Sequence, residues 1–354
     1  MPKTLMKGNE ALAFAAIEAG CTHFFGYPIT PQNEIPEYLA RELPKAGGVF
    51  LQAESEVAAI NMVYGAAAAG GRPMTSSSSP GIALMQETIS ILAAAEMPCV
   101  IVNVQRGGPG IGTIQPSQAD YFQVTRGGGN GDYRVISLAP CTVQESAEMM
   151  VEAFRLAERF RTPVIILSDG LLGQMMEPLD FIKPEKQEKI VKKWSVTGHA
   201  NLRKANTIKT LSLDPQQLEQ TNLKLQQKYR RISQEIASCE TYLMEDAELI
   251  LTAYGSSARI ARNAADELRK LGIAAGLLRP KTLWPFPAES YRYYLDQCIG
   301  ILCIEMSCGQ LIDDVKLAVA GRIPVHFYGR CGGMLPTSEE IVMEARGLAG
   351  GDRL

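Results

Sequence analysis

Short, almost unbroken apolar runs alternate with longer stretches rich in Ala, Leu, Met and Glu through the first half of the chain. Thr22–Gly26, Val49–Gln52, Pro73–Ser76, Cys99–Val104 (CVIVNV), Arg134–Leu138 and Pro163–Leu167 (PVIIL) predict strands. Continuous rather than alternating hydrophobicity means both faces are buried, as in a parallel sheet covered by helices. Between them, Asn9–Ala19, Pro31–Arg41, Glu54–Ala69, Ile82–Ala95 and Val143–Arg159 have the composition of helices. This alternation predicts an α/β fold built on a doubly wound, mostly parallel sheet.

The pattern breaks near Phe181, where KPEKQEKIVKKW begins a polar stretch reaching Pro215. Such a segment is a linker or an excursion across a partner's surface. Leu218, Leu225, Tyr229, Ile232 and Ile236 then recur at helical spacing, predicting one amphipathic helix with a narrow apolar stripe that docks on something. Strand signals return at Glu248–Ala253, Ala274–Leu278 and Gly300–Glu305, with a helix over Ala258–Leu271, predicting a smaller C-terminal α/β domain. The expected division is 1–185, 186–245 and 246–354.

Composition narrows the picture. A chain of 354 residues, 46% hydrophobic and 21% charged, is long and apolar enough for two cores. A net charge of −3 gives no field that would attract nucleic acid or an anionic membrane. With no signal-peptide pattern and no apolar run of membrane-spanning length, a cytoplasmic protein is expected. Eight cysteines contain no CxxC pair, so no cluster or zinc motif is visible, and the evenly spaced Cys298, Cys303 and Cys308 are expected to be core thiols.

Candidate chemistry gathers at the ends of the predicted strands, where open α/β sheets bind ligands. Tyr27–Pro31 (YPITP) follows the first; the Thr30 hydroxyl there is either an anion ligand or an ordinary N-cap. Glu54 and Glu56 open the helix after Gln52, as dipole partners or as a functional acid in a largely apolar pocket that favours its protonated form. Arg106 ends Cys99–Val104, where a guanidinium can bind a carboxylate bidentately. The glycine runs Gly107–Gly112 and Gly127–Gly131 match no phosphate-loop or dinucleotide pattern and predict tight loops near the site. Ser76–Ser79 reads as a polar turn without a nucleophile elbow, and the three histidines do not suggest a triad. Asp120, Asp132 and Asp169 read as surface or loop acids.

Several of these strings together resemble one family. Glu56 lies nine residues before Gly65, the spacing at which thiamine-diphosphate enzymes place the glutamate that bonds N1′ of the aminopyrimidine. YPITP and TSSSSPGIALMQE (Thr75–Glu87) resemble the pyrimidine-binding domain of the 2-oxoacid:ferredoxin oxidoreductases, most like the 2-ketoisovalerate type. RPKTLWPFP (Arg279–Pro287) and YGRCGGMLPT (Tyr328–Thr337) resemble its second, transketolase C-terminal-like domain. The resemblance implies that Glu56, Pro28 and Ile29 contact thiamine diphosphate, that Glu56 promotes the cofactor tautomer which takes the C2 proton, and that Thr30 and Arg106 hold the substrate carboxylate.

It also implies division of labour. No GDG motif is present, and Ser168–Asp169–Gly170 lacks the first glycine and a following asparagine at suitable distance. Mg²⁺ and the diphosphate are therefore expected on a GDG-containing partner that shares the cofactor, and iron–sulfur clusters on a small ferredoxin-like subunit. A gamma-type subunit, ferredoxin, CoA and the 2-oxoacid complete the implied partners. Branched-chain acids are the first expectation and 2-oxoglutarate the second; a non-catalytic assembly subunit and a self-contained nicotinamide dehydrogenase are the rivals from other classes.

Overall fold

The computed structural model describes residues 3–180 and 191–348. Its larger sheet has seven strands in the order Thr282–Trp284, Ile136–Leu138, Pro163–Asp169, Cys99–Gln105, Pro73–Ser77, His23–Gly26, Val49–Gln52. All neighbours are parallel except Thr282–Trp284, which pairs antiparallel with Ile136–Leu138. Every residue of Cys99–Gln105 and Pro163–Asp169 is buried, which is why those runs are continuously apolar. Alternate side chains feed opposite faces: Val100, Val102 and Val104 pack with the helices Gly8–Glu18 and Val143–Phe160, whereas Cys99 and Ile101 pack with Glu56–Ala68 and Ser79–Ala94.

The chain leaves His23–Gly26 towards Val49–Gln52 on one side and returns to Pro73–Ser77 on the other. That reversal opens a crevice at the carboxyl ends of the strands. The smaller sheet, ordered Val325–Gly329, Gly300–Glu305, Leu249–Thr252, Ala275–Pro280, Cys239–Tyr242, has its own reversal between Leu249–Thr252 and Gly300–Glu305. The two layers interlock, because Thr282–Trp284 leaves the C-terminal region to join the larger sheet.

The amphipathic helix spans Pro215–Ile236 and docks on its own chain. Leu225, Tyr229 and Ile232 are buried, Tyr229 meets Trp284 edge-on at 5.7 Å, and Lys228 reaches Glu96 at 3.3 Å. Leu218 stays exposed, so the stripe engages only from its middle onward. The residues from 191 to 214 run over this chain's own helices: Val196 N donates to Ala68 O, and Lys192 pairs with Glu158 at 2.7 Å. Phe181 and the following residues to 190 lie outside the described residues.

Three local expectations are corrected. Ser76 and Ser77 finish a strand and Ser79 begins the helix Ser79–Ala94, so the serine run contains no separate turn before Ile82. Cys298 and Cys303 are buried, but Cys308 is exposed, because the strand carrying Cys303 ends at Glu305. Asp169 is buried rather than superficial, being the last residue of a fully covered strand. Asp132 is exposed as expected.

Candidate active site at the carboxyl edge of the larger sheet

Thr30, Glu56 and Arg106 follow three strands of the larger sheet, and parallel pairing brings all three to its carboxyl edge. The loop carrying Thr30 is fixed from several directions. Arg106 Nη1 donates to the Thr30 carbonyl at 3.0 Å, Asn9 Nδ2 to the Pro31 carbonyl at 2.8 Å, and the buried Gln32 receives the Ser76 hydroxyl at 2.5 Å. Thr30 and Arg106 therefore meet through the threonine's backbone, and Thr30 itself is exposed. Ile29 is half-buried and accepts Gln32 N at its carbonyl; Pro28 is exposed and lines a smaller cavity of about 280 Å³ with Asn33, Phe50 and Gln52.

Arg106 is 8% exposed. Its Nη2 donates to the Ile111 carbonyl at 2.9 Å, which closes the loop GGPGIG against the site, while Nε is buried without a partner. Below it, the Ser79 hydroxyl accepts Arg106 N at 3.0 Å and donates to Asp120 at 2.5 Å; Asn103 Nδ2 also donates to Asp120, at 2.9 Å. Burial raises the Asp120 carboxyl pKa, and these two donors pull part of the shift back. Asp120 is thus a support beneath Arg106, which nothing in its local sequence signals. The second run, Gly127–Gly131, turns against the helix Ser79–Ala94, with Gly128 N donating to Gln86 Oε1 at 2.9 Å.

Glu56 is 7% exposed, whereas Glu54 is exposed and precedes the helix, so the fold separates the two acids. No donor among the described residues reaches the Glu56 side chain. It lies against Gly81: a Cβ added there would stand 2.7 Å from Glu56 Oε1 and 2.1 Å from Ser77 Oγ. Ser77 Oγ and Ser78 Oγ are buried without partners, and Ser78 occupies the N-cap of the helix Ser79–Ala94 without making a capping bond. Buried polar groups without partners are uncommon in finished cores. A carboxylate and two hydroxyls left unpaired at a topological switch point suit a polar group supplied from outside the chain. The residues fit an aminopyrimidine, whose ring nitrogen would share a proton with such a carboxylate.

Beside Thr30 lies a cavity of about 670 Å³, walled by Pro31, Ile114, Pro116, Leu171, Met175 and Leu335 among others. Leu335 comes from the C-terminal region. Its loop lies close because Gly333, at φ +95°, has room for no side chain: a Cβ would fall 2.5 Å from that of Gln115.

Asp169 does not face the crevice. Its carboxylate accepts Leu171 N at 2.9 Å, Leu172 N at 3.1 Å and the Ser256 hydroxyl at 2.8 Å, and burial raises its pKa. The one string near a GDG motif is therefore committed to joining the two sheets. Among the described residues no helix is long and apolar enough to cross a membrane.

Comparison with known proteins bears on this arrangement. The family model for pyruvate flavodoxin/ferredoxin oxidoreductase, thiamine diphosphate-binding, matches residues 14–245, and that for pyruvate:ferredoxin oxidoreductase core domain II matches 247–341. Ketoisovalerate oxidoreductase subunit VorB of Methanothermobacter thermautotrophicus is 47% identical over 99% of each chain, and 2-oxoglutarate synthase subunit KorA of Archaeoglobus fulgidus is 39% identical over 93% of this chain and 95% of its own. A solved 2-oxoglutarate:ferredoxin oxidoreductase from Magnetococcus marinus, with 2-oxoglutarate, coenzyme A and succinyl-CoA bound, aligns at 30% identity and a TM-score of 0.88. The match covers 98% of this chain and 65% of that one, so the present chain spans about two thirds of its length. A split-gene transketolase, at 14% identity and a TM-score of 0.63, shares the fold.

Proposed function

Because this chain belongs to the pyruvate flavodoxin/ferredoxin oxidoreductase family, we propose that it is the pyrimidine-binding subunit of a 2-oxoacid:ferredoxin oxidoreductase acting on 3-methyl-2-oxobutanoate and similar branched-chain acids. The reaction joins the decarboxylated acid to CoA and passes electrons to ferredoxin. The observation that carries this reading is the buried residue Glu56, its carboxylate without a donor among the described residues, beside the switch point of the sheet.

Thiamine diphosphate, when bound, supplies the electron sink for decarboxylation. Glu56, with the Ser77 and Ser78 hydroxyls nearby, would hold the aminopyrimidine, the carboxylate keeping a proton at the ring nitrogen. Pro28 and Ile29, in the loop that leads to Thr30, would add contacts to the cofactor, Pro28 from the neighbouring smaller cavity. Thr30 offers a hydroxyl and Arg106 its remaining N–H groups to the 2-oxoacid carboxylate; because their loops are already pinned, little ordering is left to be done on binding. The Arg106–Ile111 bond holds the glycine loop beside this corner.

The rest of the reaction belongs to other chains. With no GDG motif and with Asp169 engaged internally, Mg²⁺ and the diphosphate fall to a GDG-containing subunit, and the electrons to a ferredoxin-like iron–sulfur subunit, with a gamma-type subunit completing a cytoplasmic complex. The division at residues 185 and 245 is part of this reading.

Glu56→Gln tests it in the reconstituted complex. The amide keeps the shape but cannot hold the proton, so turnover should fall by about 10²-fold or more while the subunits still assemble. Undiminished turnover would sink the catalytic role and favour an assembly subunit.

A further inference from the structure

We propose that the cavity beside Thr30 receives the acyl chain of the substrate and that Ile114, Leu171, Met175 and Leu335 determine which acid is accepted; this rests on the reading of the crevice as a 2-oxoacid site. The cavity adjoins the residues that carry Arg106. Arg106 bonds the carbonyl of Thr30, a residue of its wall, and the bridge between Arg106 and Pro116 ties the guanidinium's own strand to another wall residue. No wall residue is charged. The two glutamines in the wall are neutral, and Gln174 spends its amide N–H on Glu34 at 2.7 Å and its carbonyl on Lys7 at 3.1 Å. Lys7, which is not in the wall, is paired with Glu34 at 3.0 Å.

An uncharged, mostly apolar cavity beside the Thr30–Arg106 corner suits the hydrocarbon tail of a monocarboxylate whose carboxylate is held at that corner. The distal carboxylate of 2-oxoglutarate would lose its water there and gain no partner, which opposes binding far more strongly than a missing or extra methylene does. The wall is also shared. Ile114 lies in the loop after Arg106, Leu171 and Met175 follow the strand ending at Asp169, and Leu335 belongs to the C-terminal region. Acid selection thereby depends on the two regions being locked together, through Asp169 to Ser256 and Gln118 to Tyr254.

Met175→Arg and Leu335→Arg, each introduced into the reconstituted complex, place a cation in the wall, one from each region of the chain. The ratio of kcat/KM for 2-oxoglutarate to that for 3-methyl-2-oxobutanoate should rise by about 10- to 100-fold in at least one of them, the value of a charge-assisted hydrogen bond. If both variants assemble and turn over 3-methyl-2-oxobutanoate with the ratio unmoved, the cavity is not the acyl pocket, and the 2-oxoacid reading stands without it. If the unsubstituted complex turns over neither acid, that reading itself falls, and this inference with it.

Discussion

The two sheets of this chain reverse direction in the same way, yet their crevices have opposite fates. At the reversal of the smaller sheet, the helices that follow are Gly255–Lys270 and Leu311–Val319, and both N-termini are filled by the chain's own acids. Asp169 reaches over to Ser256, and the fully buried Glu305 accepts Gln310 N, Leu311 N and Ile312 N at 2.9–3.0 Å together with the Ser307 hydroxyl at 2.8 Å. Helix N-termini attract anions, and here the anion is built in. At the reversal of the larger sheet, Glu56 points at no donor and Ser78 caps nothing. Topology supplies the crevice in both places; only the side chains decide which one is left for a ligand.

The largest test of this contrast is thermodynamic. Glu305→Ala strips three backbone N–H groups and a hydroxyl of their acceptor in a dry site, so the full chain should lose about 3 kcal/mol of unfolding free energy in chemical denaturation. Glu56→Ala should lose about 1 kcal/mol or less, since no described donor is orphaned. Equal losses would erase the distinction between a plugged crevice and an open one.

A smaller effect on stability, but a sharp one on activity, is expected at Gly81. The methyl of Gly81→Ala would overlap Ser77 Oγ and Glu56 Oε1, so one of those side chains must move. Turnover of the complex should fall by about 10²-fold through misplacement of the Glu56 carboxylate, with unfolding free energy lowered by about 1–2 kcal/mol. Full activity in Gly81→Ala would show that the position of Glu56 is not critical.

The sequence disclosed elements in proportion to how completely they are buried. Cys99–Gln105 and Pro163–Asp169 are covered on both faces and stand out as apolar runs. Thr4–Lys7, Met176–Leu179 and Val325–Gly329 are partly exposed edge strands with mixed residues, and none of them was foreseen. Thr282–Trp284 was hidden for another reason: three residues before a proline acquire strand geometry only because Ile136–Leu138 lies beside them. At the site, Thr30, Glu56 and Arg106 were visible because each ends or follows a legible strand. Gly81 beside Glu56, Gln32 beneath Ser76 and Asp120 beneath Arg106 are long-range meetings that no local pattern encodes. Asp169 was misread because an acid before glycine resembles a loop, while its partner Ser256 lies in the other region.

Gly65 sharpens the contrast with Gly81 at the smallest scale. Both are helical glycines, one nine residues along the helix that Glu56 opens and one against its carboxylate on the next helix, but a Cβ at Gly65 would meet nothing of this chain within 4 Å, and the residue is exposed. Glycine inside a helix loses more backbone entropy on folding than alanine does. Gly65→Ala should therefore stabilise the free chain, by about 0.5–1 kcal/mol in chemical denaturation, where Gly81→Ala destabilises it. A loss of stability would mean that the Glu56–Ala68 helix packs against this chain more tightly there than its open face shows. With the expected gain in the free chain, any fall in assembly or turnover of the complex measures a close approach made to that face from outside it.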